Sequence, residues 1–245
     1  MKRIAVLVVL LLACGKRNDL PEEAWGVADF EREGLHVDKP WTTDDFTQAQ
    51  AVLERVSKDH RERLPRYRGA KSGAVFAKLV TELPEDATQS IGDKFIAHAN
   101  RVDALNQISK LYMLNAMAVP PREWIELMGA ILREAVVLTQ TSEPFLASFG
   151  PDDPKRENRL AGLARMKEGY GQMLLGSFLV ADDKRVPEAD KIALVQYATA
   201  ALPVLLPAST PDAQSKIREV LAKEQAGVPA GPLHDAIVAA NKALP

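Results

Sequence analysis

Apolar residues recur every three to four positions through most of the chain, the spacing that lays them along one face of an α-helix. Over 43–64 the line is Phe46, Ala49, Leu53, Val56 and His60; over 86–118 it is Ile91, Phe95, His98, Val102, Leu105, Ile108 and Tyr112. It continues as Trp124, Met128, Ile131, Ala135, Leu138 and Phe145 over 121–147, and as Leu160, Leu163, Tyr170, Leu174 and Phe178 over 154–181. Further helices are predicted over 72–83, 187–206, 211–226 and 232–244. Pro84, Pro121, Pro154, Pro187, Pro211 and Pro232 stand at or before these starts, and most are followed closely by an acid, which suits a helix N-terminus. No stretch alternates with period two for long enough to require a strand.

Each apolar stripe must be buried against another. The three consecutive helices 86–118, 121–147 and 154–181, each about 40 Å long at 1.5 Å per residue, pack most economically side by side with alternating direction. The predicted fold is therefore all-α: an antiparallel helical bundle of long helices with smaller C-terminal helices packed on it. Gly162, Gly169 and Gly176 lie seven apart and share one side of their helix. A glycine inside a helix costs about 1 kcal/mol relative to alanine, so the line predicts a neighbouring backbone at close range. Gly169-Tyr170-Gly171 lacks the lysine and the strand-to-helix context of a phosphate loop.

The first residues follow a different pattern. Met1-Lys2-Arg3 precede an unbroken apolar run, Ile4 to Ala13, and then Cys14. Ten helical residues span about 15 Å, half a hydrocarbon core, so the run reads as a signal peptide rather than a membrane span. Leu11-Leu12-Ala13-Cys14 resembles the lipobox of bacterial lipoprotein precursors. The resemblance covers residues 1–14 alone. It implies that the Cys14 thiol receives a diacylglyceryl group, that cleavage follows Ala13, and that the new amino terminus is acylated, typically with palmitate. Gly15, where an aspartate would retain the protein in the inner membrane, favours the outer membrane of the bacterial envelope. The alternative is an ordinary secretory signal that carries a cysteine near its end. Cys14 is the single cysteine among 245 residues, so no disulfide partner within the chain competes for it.

The domain organisation that follows is a signal peptide over 1–13, a lipidated cysteine and tether over 14–42, and one helical domain over 43–245. The tether is polar and mixed in charge, with one short helix expected after Pro21. Trp25 and Trp41 are expected to dock on the domain, or alternatively on the membrane surface. Loss of Lys2 and Arg3 leaves 29 basic against 33 acidic side chains, a formal charge of −4, which argues against a nucleic-acid partner.

Candidate chemistry is sparse. The densest charge feature is His60 to Lys71, where Arg61, Arg63, Arg66, Tyr67, Arg68 and Lys71 surround Pro65 with Glu62 as the only acid. Such a turn suits an anionic partner such as lipid headgroups, lipopolysaccharide phosphates, wall polymers or an acidic protein face. The alternative is a surface loop whose arginines pair with neighbouring helices. If the turn is exposed, its ion pairs add only about 0–1 kcal/mol to stability.

His60 and His98 both fall on apolar stripes, and with Met113 or Met117 they could ligate haem or a metal between helices. The Glu-x-x-His spacing of di-iron bundles occurs only at Glu33 and His36, in the tether, and no Cys-x-x-Cys-His segment exists. Gly-x-Ser-x-Gly and His-Glu-x-x-His are also absent, as is the Glu-Ser pair usual in lytic transglycosylases. Glu126 and Glu134 lie off the main stripe of 121–147 and are expected on solvated faces, whereas an acid deep in a cleft would point to hydrolysis. The function expected is that of a membrane-anchored envelope lipoprotein, not an enzyme and without a cofactor, whose helical domain binds a macromolecular partner or stabilises an envelope assembly. A haem- or metal-binding bundle using His60 and His98 is the alternative, and an envelope hydrolase comes third.

Overall fold

A computed structural model describes residues 20–84, 88–113, 119–150 and 152–245; Cys14 and Met117 lie outside them. The described residues form nine α-helices and no strand: α1 Val27–Arg32, α2 Thr43–Ser57, α3 Gly73–Val80, α4 Ile91–Tyr112, α5 Arg122–Ala147, α6 Arg156–Leu179, α7 Glu188–Ala208, α8 Pro211–Gly227 and α9 Pro232–Lys242. A 3-10 turn, Arg61–Arg63, follows α2 after a break, and another, Val180–Asp182, extends α6.

Local chemistry sets several of these boundaries. Thr42 and Asp45 form a reciprocal capping box at the start of α2, with Thr42 N–H donating to Asp45 Oδ2 at 2.8 Å. Ser90 accepts from Asp93 N–H at 3.1 Å to start α4, and Thr210 does the same for α8 ahead of Pro211. Helix α2 stops at Ser57 because Lys58 turns extended and Asp59 takes the left-handed region at φ 62°. His60 therefore leaves the α2 stripe and is exposed, a correction to its predicted place on an apolar face.

Helices α4 and α5 make the central antiparallel hairpin, with α2 packed on α4 and α7 on α5. Helix α7 also packs on α6 and α9, while α8 closes against α6 and α9. The contact between α5 and α6 is narrower than the consecutive packing predicted for them, because α7 lies between much of their length. Pro203 and Pro207 sit in the last turns of α7. That helix is long and apolar enough to cross a membrane by length and composition; here its apolar residues Leu194, Val195, Leu202 and Leu205 are buried in the bundle.

Two of the three glycines in the line, Gly162 and Gly169, do not meet the close backbone that the spacing predicts. A Cβ on Gly162 or Gly169 would meet nothing within 4 Å. The close approaches are elsewhere: a Cβ on Gly171 would run into Ala213 of α8, and one on Gly129 would lie 2.6 Å from the Tyr197 ring.

The expected docking of Trp25 and Trp41 on the domain is observed. From Leu20 onward the segment packs on the domain, burying Phe30, Leu35 and Trp41 in the same core as Phe46, Leu105 and Ile131. Trp41 stacks edge-on against Phe46 at 5.4 Å and donates its indole N–H to His36 O at 2.7 Å; Trp25 meets Phe30 in the same way. Phe30 lies in the short α1, Leu35 in the turn that ends it and Trp41 outside any helix, so the three share no helical period.

Candidate functional site

A cleft of about 450 Å³ opens between the start of α2, the Glu82–Pro84 segment, α4, α5 and α7. Its apolar wall is formed by Leu83, Ala97, Val136, Val137, Ala200 and Ala201, and its polar lining includes Lys94, His98, Arg133, Glu134 and Tyr197. The volume falls within the range of small-molecule sites, about 300–1,000 Å³.

The base of this site is a buried charge network. His98 and Arg101 are three apart on α4 and face Glu134 on α5. The His98 Nδ1–H donates to one Glu134 oxygen at 2.5 Å and Arg101 Nη1 to the other at 2.8 Å. Arg101 is fully buried and Glu134 is 2% exposed. The remaining groups of Arg101 are used unevenly: Nη2 donates to Thr81 O, the guanidinium lies 4.4 Å over the Phe46 ring, and Nε has no hydrogen-bond partner among the described residues. Burial pulls the Arg101 pKa below its ordinary value, against the opposing pull of Glu134.

A second network stands beside it. Tyr197 of α7 donates to Glu126 Oε2 at 2.7 Å, and Glu126 also pairs with Arg122, which holds Asp190 at 2.9 Å. Burial together with the bond to Glu126 and its charge pushes the Tyr197 phenol up to about 12. For Arg122, burial opposes the charge, but Asp190 and Glu126 outweigh it and raise its pKa. Arg133 reaches back to Val80 O at 2.8 Å and pairs with the exposed Glu82 at 3.5 Å. The expectation that Glu126 and Glu134 occupy solvated faces is thus overturned: both are buried, each held by partners on neighbouring helices.

The residues singled out from sequence are distributed differently. His60 pairs with Glu62 at 2.8 Å on the 3-10 turn and takes no part in the cleft, so His60 and His98 are not brought together. Among the described residues no group of three or more His, Cys, Asp and Glu side chains is placed to hold a metal ion. In the basic turn the cations are largely engaged. Arg61 donates to the Leu111 and Tyr112 carbonyls at the end of α4, and Arg66 is 9% exposed with its guanidinium bonded to Pro21 O. Lys71 Nζ donates to Glu23 O at 2.9 Å, while Arg63 lies over the Trp25 ring and Arg68 over Tyr67. Tyr67 N–H in turn donates to Glu123 Oε1 at 3.0 Å.

Lys94, Arg101, Arg133 and Tyr197 were not singled out from sequence, yet a signal existed for the buried pair. Leu127, Ile131, Glu134 and Leu138 follow the spacing four, three, four, as do Ala97, Arg101, Ala104 and Ile108. A charge standing in an apolar line on each of two neighbouring helices marks a buried partnership. Comparisons with protein-family models, with curated proteins and with solved structures return no match for the chain.

Proposed function

We propose that this chain is a lipid-anchored envelope protein whose helical domain binds, rather than transforms, a ligand with an apolar body and one anionic group, seated in the α2–α4–α5–α7 cleft. The observation that carries the reading is the lining itself: Lys94, Arg133 and His98 outnumber Glu82, the one exposed acid among the described lining residues, around an aliphatic wall, while Glu134, an acid at its base, has both oxygens occupied by Arg101 and His98. An acid used to cleave a sugar bond sits isolated in an apolar pocket and keeps its proton. Glu134 has the depth that hydrolysis would ask for but the opposite surroundings.

The anchor rests on Cys14 and the residues before it. Cys14→Ser is expected to release the protein from membranes, and unchanged flotation with lipid would remove that part of the reading. The cleft is tested by calorimetric titration of the purified chain with dodecanoate, dodecanol and dodecylamine. The acid alone should bind, and Lys94→Glu with Arg133→Glu should abolish the heat. Equal binding of all three would show the cationic rim to be irrelevant, and no binding of any would remove the cleft from the proposal.

A further inference from the structure

The anchor and the fold together define an orientation. Leu20 is the first described residue, and it packs on the core beside Pro21, whose carbonyl is held by Arg66. Cys14 lies six residues earlier, and six residues of fully extended chain span at most about 22 Å. This distance is shorter than the long axis of the bundle: α5 has 26 residues, about 39 Å at 1.5 Å per residue. If the acyl chains of Cys14 enter a bilayer, the pole around Leu20 stays near the surface while the opposite pole, where α5 ends at Ala147 and α6 begins at Arg156, need not.

The near pole is assembled from the 3-10 turn Arg61–Arg63, the residues up to Lys71, the end of α4 and the start of α5, joined through the bonds of Arg61 to Leu111 O and Tyr112 O and of Tyr112 OH to Pro65 O at 2.8 Å. Two of its acids are turned to internal partners, Glu23 to Ser72 and Lys71 and Glu123 to Tyr67 N–H, while Glu62 pairs with exposed His60 at the surface. Exposed Glu22 and Asp59 and the half-exposed Glu62 face Lys58, Arg68, Lys71 and the half-buried Arg63, so the face of the turn itself carries a slight excess of cations, while exposed Lys184 and Glu188 at the adjoining start of α7 offset each other. Arg68 is lifted outward on a backbone with φ 54°, over the Tyr67 ring at 5.0 Å.

We infer that this pole is a membrane-contact surface, with Arg63 and Arg68 seated among the anionic headgroups of the bilayer that holds Cys14. The inference rests on the lipid anchor proposed above. It also sets the height of the cleft, because Glu134 lies twelve residues along α5 from Arg122, about 18 Å from the pole. The cleft then opens sideways above the headgroups rather than against them. Attraction of these basic residues to an anionic leaflet fades within a Debye length, about 8 Å at physiological salt.

The test uses the full lipidated protein on vesicles carrying a headgroup-attached energy acceptor. Exposed Ala70→Cys, on the near pole, and exposed Asp152→Cys, on the far pole, each receive a donor dye, since Cys14 is blocked by its lipid. Transfer from position 70 should exceed that from 152 several-fold. The gap should widen as phosphatidylglycerol replaces phosphatidylcholine and shrink when Arg63→Glu and Arg68→Glu are combined. Equal transfer from both positions, or stronger transfer from 152, on protein that still floats with the vesicles overturns the orientation and leaves the anchor standing. A gap indifferent to lipid charge and to the double substitution overturns the headgroup contact. Protein that does not float at all overturns the anchor and the inference with it.

Discussion

Arg101 of α4 and Glu134 of α5 meet at 2.8 Å, both all but buried, on the two helices that make the central hairpin. Removing one member of such a pair strands the other charge in the core, which typically costs about 3–5 kcal/mol. Glu134→Leu is therefore expected to lower the urea midpoint by an amount of that order. The double change Glu134→Leu with Arg101→Met should recover most of the loss, since an apolar pair of similar volume leaves no orphaned charge. If the double variant is no better than the single one, the Arg101–Glu134 bond is not what the single change destroys.

The pair also shows what a sequence reading misses here. All eight predicted helices are found, because their stripes are periodic and their starts carry Thr42, Ser90, Pro121 and Thr210, which act locally. The short helix after Pro21 and the docking of Trp25 and Trp41 are legible from the proline and the apolar tryptophans rather than from any period, whereas the burial of Leu35, which enters the core from the turn that ends α1, is not. Glu134 and Arg101 are legible only when the two helices are considered together: one charge in an apolar line looks like an interruption, and its meaning depends on the partner across the hairpin. His60 fails for a local reason, the left-handed turn at Asp59 that ends α2 three residues too early for the stripe to include it.

Glycine positions give a paired prediction. Alanine at Gly129 would place its Cβ 2.6 Å from the Tyr197 ring, displacing the phenol from Glu126, and overpacking of this kind costs about 1–3 kcal/mol. Alanine at Gly169 meets open space within its helix and should stabilise by up to about 1 kcal/mol through helix propensity. Thermal melts of the two variants should move in opposite directions. A loss at Gly169 would restore the close backbone approach that the seven-residue spacing suggests.

Glu224 on α8 supplies a pH dependence. It is 2% exposed, and neither carboxylate oxygen has a hydrogen-bond partner among the described residues; burial first, and the Asp182 charge next, raise its pKa above the ordinary carboxylate value. A raised folded pKa means that the native state binds the proton more tightly than the unfolded chain. The resulting stability is complete below the unfolded value near 4.5 and is lost as pH rises through the raised one. Glu224→Gln carries no such loss, so its melting temperature relative to the parent should climb as pH increases from 4 to 8. A difference that stays flat across that range would show that Glu224 ionises in the native state as it does unfolded.

Arg66 and Arg68 lie two residues apart in the basic turn, and their expected effects on stability are unequal. Arg66 is almost buried: its backbone N–H donates to Ser72 Oγ at 2.9 Å, Ser72 N–H donates to Glu23 Oε1 at 2.7 Å, and its guanidinium holds Pro21 O. Burial lowers its pKa, with Glu123 foremost among the charges that oppose the shift. It is therefore the clamp that fixes Pro21 and its neighbours to the domain, not a free surface cation. A hydrogen bond from a charged donor is worth about 1.5–3 kcal/mol, so Arg66→Ala should lower stability by that much and expose the Leu20–Trp25 segment to limited proteolysis. Arg68 is exposed over one face of Tyr67, and Arg68→Ala should change stability by less than about 0.5 kcal/mol. In the double variant the loss should match that of Arg66→Ala alone. An Arg66→Ala protein as stable and as protease-resistant as its parent would return this residue to the surface and detach Leu20 from the pole that the anchor is proposed to hold.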